Sequence, residues 1–283
     1  MVMNAAGKTC FPGRVESGCL YKVSIVNREE KVSVIMPTYN CAEYIAESIR
    51  SVQAQTYENW ELLIVDDVST DDTAQAVAPF LSDERIRYTC LAENGGPAAA
   101  RNEALRQAQG AYIAFLDSDD LWMPDKLERQ IAFMEENGHV FSCTGYRKMD
   151  ETGTPLGIAV LPHASTGYWK TYFLSNPIGN STAMYDRRHF GDVQVPMIRK
   201  RNDFALWLQL LRDGDRCYGM EDELMVYRVR KNSVSTQKIQ LVKYHWELYR
   251  HIEKKSLLVS FLGILGWAVV KGTGLGLHIR KDR

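Results

Sequence analysis

The sequence is short of several features that would classify it quickly. Its six cysteines, in 283 residues, stand at 10, 19, 41, 90, 143 and 217. They form no CxxC pair and no metal-type spacing, so free thiols in a reducing compartment are expected, not a disulfide framework or a zinc site. The six histidines form no HExxH motif. Opposite charges balance to a formal net charge of -1, which removes the global basicity of a nucleic-acid binder. The apolar run 256–270 is shorter than the ~20 residues that a spanning helix needs. The N-terminus carries no apolar signal core, so the body of the protein is expected in the cytoplasm. There are no internal repeats and no low-complexity tracts. GTGLG at 272–276 misses the dinucleotide fingerprint, because Leu277 takes the final glycine position and no strand precedes it.

What is present is patterned. Hydrophobic residues make up 45% of the chain and charged residues 24%, an ordinary globular balance at a length that supports a large core. Residues 1–30 show no clear period and read as an N-terminal extension. From Lys31, apolar strands alternate with helical stretches: strands at 32–37, 61–67, 86–91 and 111–117, helices near 42–55, 71–81, 97–109 and 124–137. Near-continuous Val, Ile and Leu strands interleaved with helices predict an α/β fold with a mostly parallel sheet covered on both faces. Ser69-Thr70-Asp71-Asp72 offers N-cap oxygens, and Pro124 suits a first helical position. After residue 140 the alternation fades. Short strands and turns are expected over 141–197, a helix at 203–212 from the stripe 204, 207, 208, 211, a strand and loop at 226–235, and a long amphipathic helix near 236–254.

In open parallel sheets ligands sit beyond the carboxyl ends of the strands. Here Pro37-Thr38-Tyr39-Asn40 ends the first strand, Asp66-Asp67 the second and Asp117-Ser118-Asp119-Asp120 the fourth, and Glu93-Asn94-Gly95-Gly96 follows the third, so all four clusters line one edge. Three acids within four positions after the buried run 111–116 repel one another, and a turn with helix-capping acids explains any one of them better than all three. Hard carboxylate oxygens suit Mg²⁺ or Mn²⁺ completed by phosphates and water. A calcium EF-hand loop is excluded, since Leu121 and Trp122 stand at its fifth and sixth positions. Asp66-Asp67 reads either as a helix cap or as an acceptor for a nucleobase or ribose. Asn94 to Asn102 supplies small residues and the cation Arg101 near a helix start, suited to an anion or to tight packing. In Arg199-Lys-Arg-Asn-Asp203 the acid is either a dipole-favoured helix residue or a general base in a basic acceptor region. The apolar stretch at about 256–271, flanked by Lys254, Lys255, Lys271, Arg280, Lys281 and Arg283, suits an interfacial helix on anionic headgroups, with core packing or dimerisation as rivals.

VSVIMPTYN, WELLIVDDVSTDDT, NGGPAAARN, AYIAFLDSDDLWMPDKL and RKRNDFALWLQLL, in that order, resemble the successive motifs of glycosyltransferase family 2 over about residues 31–235. The run from Tyr227 to Arg250 is similar to a bacterial subgroup that builds teichuronic acid, O-antigen and capsule polysaccharides. The resemblance implies a GT-A fold, with a nucleotide-sugar donor half at about 31–140, an acceptor half at about 141–235, and C-terminal helices over 236–283. It assigns Pro37, Thr38, Tyr39, Asn40 and Asp67 to a uridine-type nucleotide and Arg101 to the diphosphate or to bracing the acids. Asn94, Asp117 and Ser118 are placed in the donor site with them. Asp117, Asp119 and Asp120 fall on the DxD region, Asp119 and Asp120 meeting ribose and metal, and Asp203 falls on the base. Asn202 stands where the family often has Glu. Arg230 stands where many members have His, and is expected to bind phosphate in its place. The QxxRW motif of processive synthases is absent, which implies one sugar per encounter.

The expected reaction is a metal-dependent single displacement with inversion, in which Asp203 deprotonates an acceptor hydroxyl. The implied partners are a UDP-sugar and a glycan or lipid-linked glycan, at the cytoplasmic face of an inner membrane. Two rivals are a nucleotidyl- or phosphoryl-transfer enzyme, which would cleave between phosphates, and a non-catalytic membrane-surface scaffold.

Overall fold

The computed structural model describes residues 29–174, 176–230, 238–273 and 278–281. The expected extension, up to residue 28, and the loop from residue 231 lie outside them. The first half follows the predicted alternation: β1 (Val32–Thr38), α1 (Ile45–Gln53), β2 (Trp60–Asp66), α2 (Thr73–Val77), β3 (Ile86–Cys90), α3 (Pro97–Gln107), β4 (Tyr112–Phe115), the short β5 (Leu121–Trp122) and α4 (Lys126–Asn137). The second half is irregular: β6 (Phe141–Met149), β7 (Pro155–Leu161), β8 (Ser165–Thr166), α5 (Tyr168–Leu174), β9 (Met184–Asp186), α6 (Arg187–Phe190), α7 (Asn202–Leu210), β10 (Cys217–Arg228), α8 (Lys238–Glu247), α9 (Leu257–Thr273) and β11 (His278–Lys281).

One mixed sheet runs β11-β7-β6-β9-β4-β1-β2-β3. The strands β4, β1, β2 and β3 are parallel. β9 joins β4 antiparallel, and β10 lies along the other side of β6 and pairs with β5 and β8. Every residue of β1 and β2 is buried because helices cover both faces. On β1, Val32, Val34 and Met36 join α1 and α4 in one core, while Ile35 faces α3 and α7 in a second, as the period of two requires. α3 packs through Ala98, Ala100 and Ala104, small side chains that bring its N-terminus close to the ends of β1 and β2.

Three expectations change. The strand expected at 226 begins at Cys217, where Tyr218, Glu221 and Asp222 give no apolar alternation. The helix expected over 236–254 is α8 followed by a π-helical turn at Leu248–Ile252. The region 141–197 contains α5, whose Tyr172 packs with Phe204 and Tyr249 in a third core.

Candidate active site

The four polar clusters do meet at one edge. The carboxyl ends of β1, β2 and β4, the loop before α3, the segment before α7 and the residues after β10 enclose a cavity of about 660 Å³. Pro37, Thr38, Tyr39, Asp67, Asn94, Arg101, Asp117, Ser118, Asp119 and Arg230 all line it, as do Arg199 and Lys200. Thr38 is 3% exposed, yet its hydroxyl has no partner among the described residues. Such an orphan is costly unless something in the cavity bonds it. Tyr39 is half exposed beside it.

Asn40 is not on the lining. Its φ of +47° turns the chain, its amide donates to Ser69 Oγ at 2.8 Å, and its Oδ1 accepts from Thr70 N at 2.8 Å. Ser69 therefore clamps the β1 loop and does not cap α2, for which Asp71 accepts from Thr73 N at 3.0 Å. Asp66 accepts from Ser69 N at 2.7 Å and from the Tyr88 hydroxyl at 2.6 Å; burial, then this carboxylate, raises Tyr88. Asp67 accepts from the amides of Gly95 (2.7 Å) and Gly96 (2.8 Å), and Asn94 Nδ2 donates to its carbonyl. Gly96, at φ +80°, supplies the left-handed turn that aims both amides there. Asp67 thus builds the loop that begins α3 while also facing the cavity.

The three acids after β4 have three environments. Asp117 accepts from Arg101 Nη2 at 2.7 Å and from Asn180 Nδ2 at 2.8 Å. Enclosure raises its pKa, and Arg101 opposes the rise. The resemblance assigns Asp120 to the metal with Asp119, but its carboxylate is turned inward and is 1% exposed. It accepts from Ser181 Oγ at 2.6 Å and from Arg228 N at 3.1 Å. Burial, then Asp119 and Asp117, raises it strongly. Asp119 alone of that pair lines the cavity. Its Oδ2 pairs with Arg230 Nη1 at 3.2 Å, and its Oδ1 carries no hydrogen bond from the described residues.

Side chains without a sequence signal hold this turn. Arg228, buried, donates to the Asp119 carbonyl (3.0 Å), the Glu151 carbonyl (3.2 Å) and the Glu47 carboxylate (2.5 Å). Arg228 and Arg230 flank the Tyr44 ring at 4.7 and 5.0 Å. The Ser48 hydroxyl lies 2.9 and 2.7 Å from the carbonyls of Ser118 and Asp120. Their partners are up to 181 residues away, so no local pattern announces them.

Arg101 also reaches Asn202, donating from Nη1 to its Oδ1. Asn202 accepts from Arg101 without adding a second negative charge, leaving the ion pair of that cation to Asp117. Asp203, in the first turn of α7, accepts from Asn176 Nδ2 at 2.9 Å and is near enough for its charge to act on Asp117. It does not itself line the cavity.

Among the described residues no group of three or more His, Cys, Asp or Glu side chains is arranged to hold an ion. The donor set fits a weaker requirement: Asp119 and Asp117 each line the cavity with one oxygen that accepts no hydrogen bond from the described residues, which suits an ion that takes its remaining ligands from phosphates and water.

A family model described as glycosyl transferase family 2 matches residues 33–192, more than half of the chain. The chain belongs to this family. It is a glycosyltransferase of GT-A fold. It is 46% identical over 232 residues to the Bacillus subtilis protein named as the teichuronic acid biosynthesis glycosyltransferase TuaG, covering 81% of this chain and 91% of that one. It is 38% identical over 218 residues to the Escherichia coli UDP-Glc:alpha-D-GlcNAc-diphosphoundecaprenol beta-1,3-glucosyltransferase WfgD, covering 77% and 84%. The crystal structure of S. aureus TarS 1-349 in complex with UDP-GlcNAc superposes with a TM-score of 0.63 at 25% identity, over 77% of this chain and 65% of that one.

Proposed function

We propose that this glycosyltransferase moves one sugar from a UDP-sugar to a hydroxyl of a lipid-linked glycan in bacterial surface polysaccharide synthesis, with inversion and with Mn²⁺ or Mg²⁺. The observation that carries this is the cavity itself, where the ion pairs Arg101–Asp117 and Arg230–Asp119 meet beside a Thr38 hydroxyl with no partner among the described residues. The UDP-GlcNAc in TarS supports the uridine nucleotide. The name of TuaG supports a surface polysaccharide, and that of WfgD a lipid-linked acceptor.

In this reading Thr38, Tyr39 and Asp67 bind the nucleoside, with Pro37 and Asn40 shaping the loop, and Asn94 and Ser118 bound the donor's path. Arg230 releases Asp119 and turns its guanidinium to the diphosphate, where a planar fork matches phosphate oxygens. Asp119 would hold the divalent ion; when bound, that ion would supply Lewis-acid relief of the charge left on the diphosphate. Asp120 keeps the turn rigid from behind. Asn176 occupies Asp203 Oδ2 and leaves Oδ1 to take the proton of the acceptor hydroxyl as it attacks the anomeric carbon. Arg101 screens Asp117 so that it does not repel the donor.

Incubation with Mn²⁺ and a panel of UDP-sugars, followed by identification of the released nucleotide and of the new anomeric linkage, tests the proposal. UDP and an inverted linkage are expected. Release of UMP would establish the phosphoryl-transfer reading instead.

A further inference from the structure

The catalytic cavity makes no use of the cations near the start of α9. A separate basin of about 430 Å³ lies between α5, the turn from α7 to β10 and the residues leading into α9, and Lys170, Arg212, Arg216 and Lys255 line it. Its one acid, Asp215, lies 3.1 Å from His189. Arg212 donates to the buried Glu253 at 2.9 Å, and the Tyr168 hydroxyl takes the other oxygen at 2.5 Å. Arg216 and Lys170 donate to neutral groups, the Ser165 hydroxyl at 2.8 Å and its carbonyl at 3.2 Å. The Lys255 ammonium rests over Tyr168 and Trp169 at 4.7 and 5.1 Å. Four cations thus face two acids, and the basin carries surplus positive charge.

Two residues past Lys255, α9 begins. Leu257, Leu258, Phe261, Leu262, Leu265 and Val269 are 43–68% exposed. At about 100° per residue they occupy one stripe about 140° wide. The opposite face is taken: Gly263 abuts Tyr172 and Tyr249, Gly266 abuts Phe173, and Ser260 and Trp267 are buried. Trp169 on α5, 54% exposed, adds an aromatic of the kind that settles at membrane interfaces. At about 1.5 Å per residue the helix is about 26 Å long, below the ~30 Å hydrocarbon thickness. No helix among the described residues is long and apolar enough to cross a membrane. An apolar stripe of this extent marks an interaction surface, and the adjoining surplus of cations selects an anionic partner.

We propose that the basin and the outer face of α9 form one docking surface for an anionic phospholipid bilayer. Headgroup phosphates enter among Lys170, Arg212, Arg216 and Lys255, and the leucines and Phe261 lie in the headgroup–acyl boundary. The proposal deepens the lipid-linked acceptor reading and rests on it for the choice of a membrane. Because α7 runs from Asp203 nearly to Arg212, this basin residue lies about 14 Å along a packed helix from the candidate base.

Cosedimentation of the full chain with vesicles of phosphatidylcholine, with and without phosphatidylglycerol, tests this. Binding to the phosphatidylglycerol vesicles that weakens with salt is expected, with little binding to phosphatidylcholine alone. Lys170→Glu with Arg216→Glu, and separately Leu258→Gln with Phe261→Gln, should each lower partitioning at least about tenfold, at the wild-type unfolding temperature and with the UDP–Mn²⁺ stabilisation retained. Equal binding to both vesicles, indifference to the two double variants, or a dimer in sedimentation equilibrium that Phe261→Gln dissociates would overturn the docking surface. Vesicle binding without any UDP response would overturn the nucleotide reading alone.

Discussion

Two aspartate pairs follow the strands on either side of β1 and are put to different uses. At the end of β2, Asp66 and Asp67 are buried, and each carboxylate is supplied with two donors: Ser69 and Tyr88 for one, Gly95 and Gly96 for the other. After β4, Asp120 is supplied in the same way by Ser181 and Arg228. Asp119 is not; it keeps one oxygen free and holds Arg230 at the rim. Burial demands that a carboxylate be satisfied, so the saturated acids hold the scaffold, Asp67 while also lining the cavity, and Asp119, short of donors, keeps an oxygen open to a ligand. The sequence Asp-Asp after an apolar strand does not separate the two cases; the donor count does.

The contrast gives four variants, in falling order of expected effect. Asp203→Asn removes the base while keeping an oxygen for Asn176, so turnover should fall about 10³-fold, as for loss of a positioned base, with UDP affinity nearly unchanged by calorimetry. Lost UDP affinity would move Asp203 out of that role. Asp67→Ala deprives the amides of Gly95 and Gly96 of a charged acceptor and should cost about 3 kcal/mol in urea unfolding. A cost near zero would return Asp67 to the ligand alone. Asp119→Asn should weaken UDP binding in Mn²⁺ at least about tenfold and leave stability within about 0.5 kcal/mol, since no backbone donor depends on it.

The smallest effect belongs to an acid at the opposite end of the sheet, before β3. Asp83, hydrogen-bonded by Arg85, is held down at about 2. A depressed folded pKa contributes stability above the unfolded value, near 3.8, and loses it as pH falls through about 2. Both side chains are partly exposed, so Asp83→Asn should cost under about 1 kcal/mol at neutral pH. The difference from wild type should vanish in acid, as read from unfolding midpoints against pH.

The parallel half was legible because its strands are buried on both faces and its helices are periodic; β1 to β4 stand within three residues of their predicted ends. The cavity's location followed from strand polarity alone. What was not legible is long-range. β10 begins nine residues before its apolar signal because its pairing with β6 is set by tertiary context. Arg228, Glu47, Ser48 and Ser181 bond across the fold and have ordinary neighbours in sequence. The inward turn of Asp120, and the answer of Asn202 to Arg101, depend on partners that only the folded chain brings together. The apolar run at 256–270 was visible, but the basin beside it was not, since Lys170, Arg212 and Arg216 come from two distant segments.

Thermal unfolding with UDP, with Mn²⁺ and with both is the most direct test of the central claim that the Asp119 edge is a metal–nucleotide site. A ligand that binds only the folded state raises its stability. A clear rise with UDP and Mn²⁺ together, small with either alone and lost in Asp119→Asn, is the predicted result. An unfolding temperature indifferent to all three conditions would contradict it.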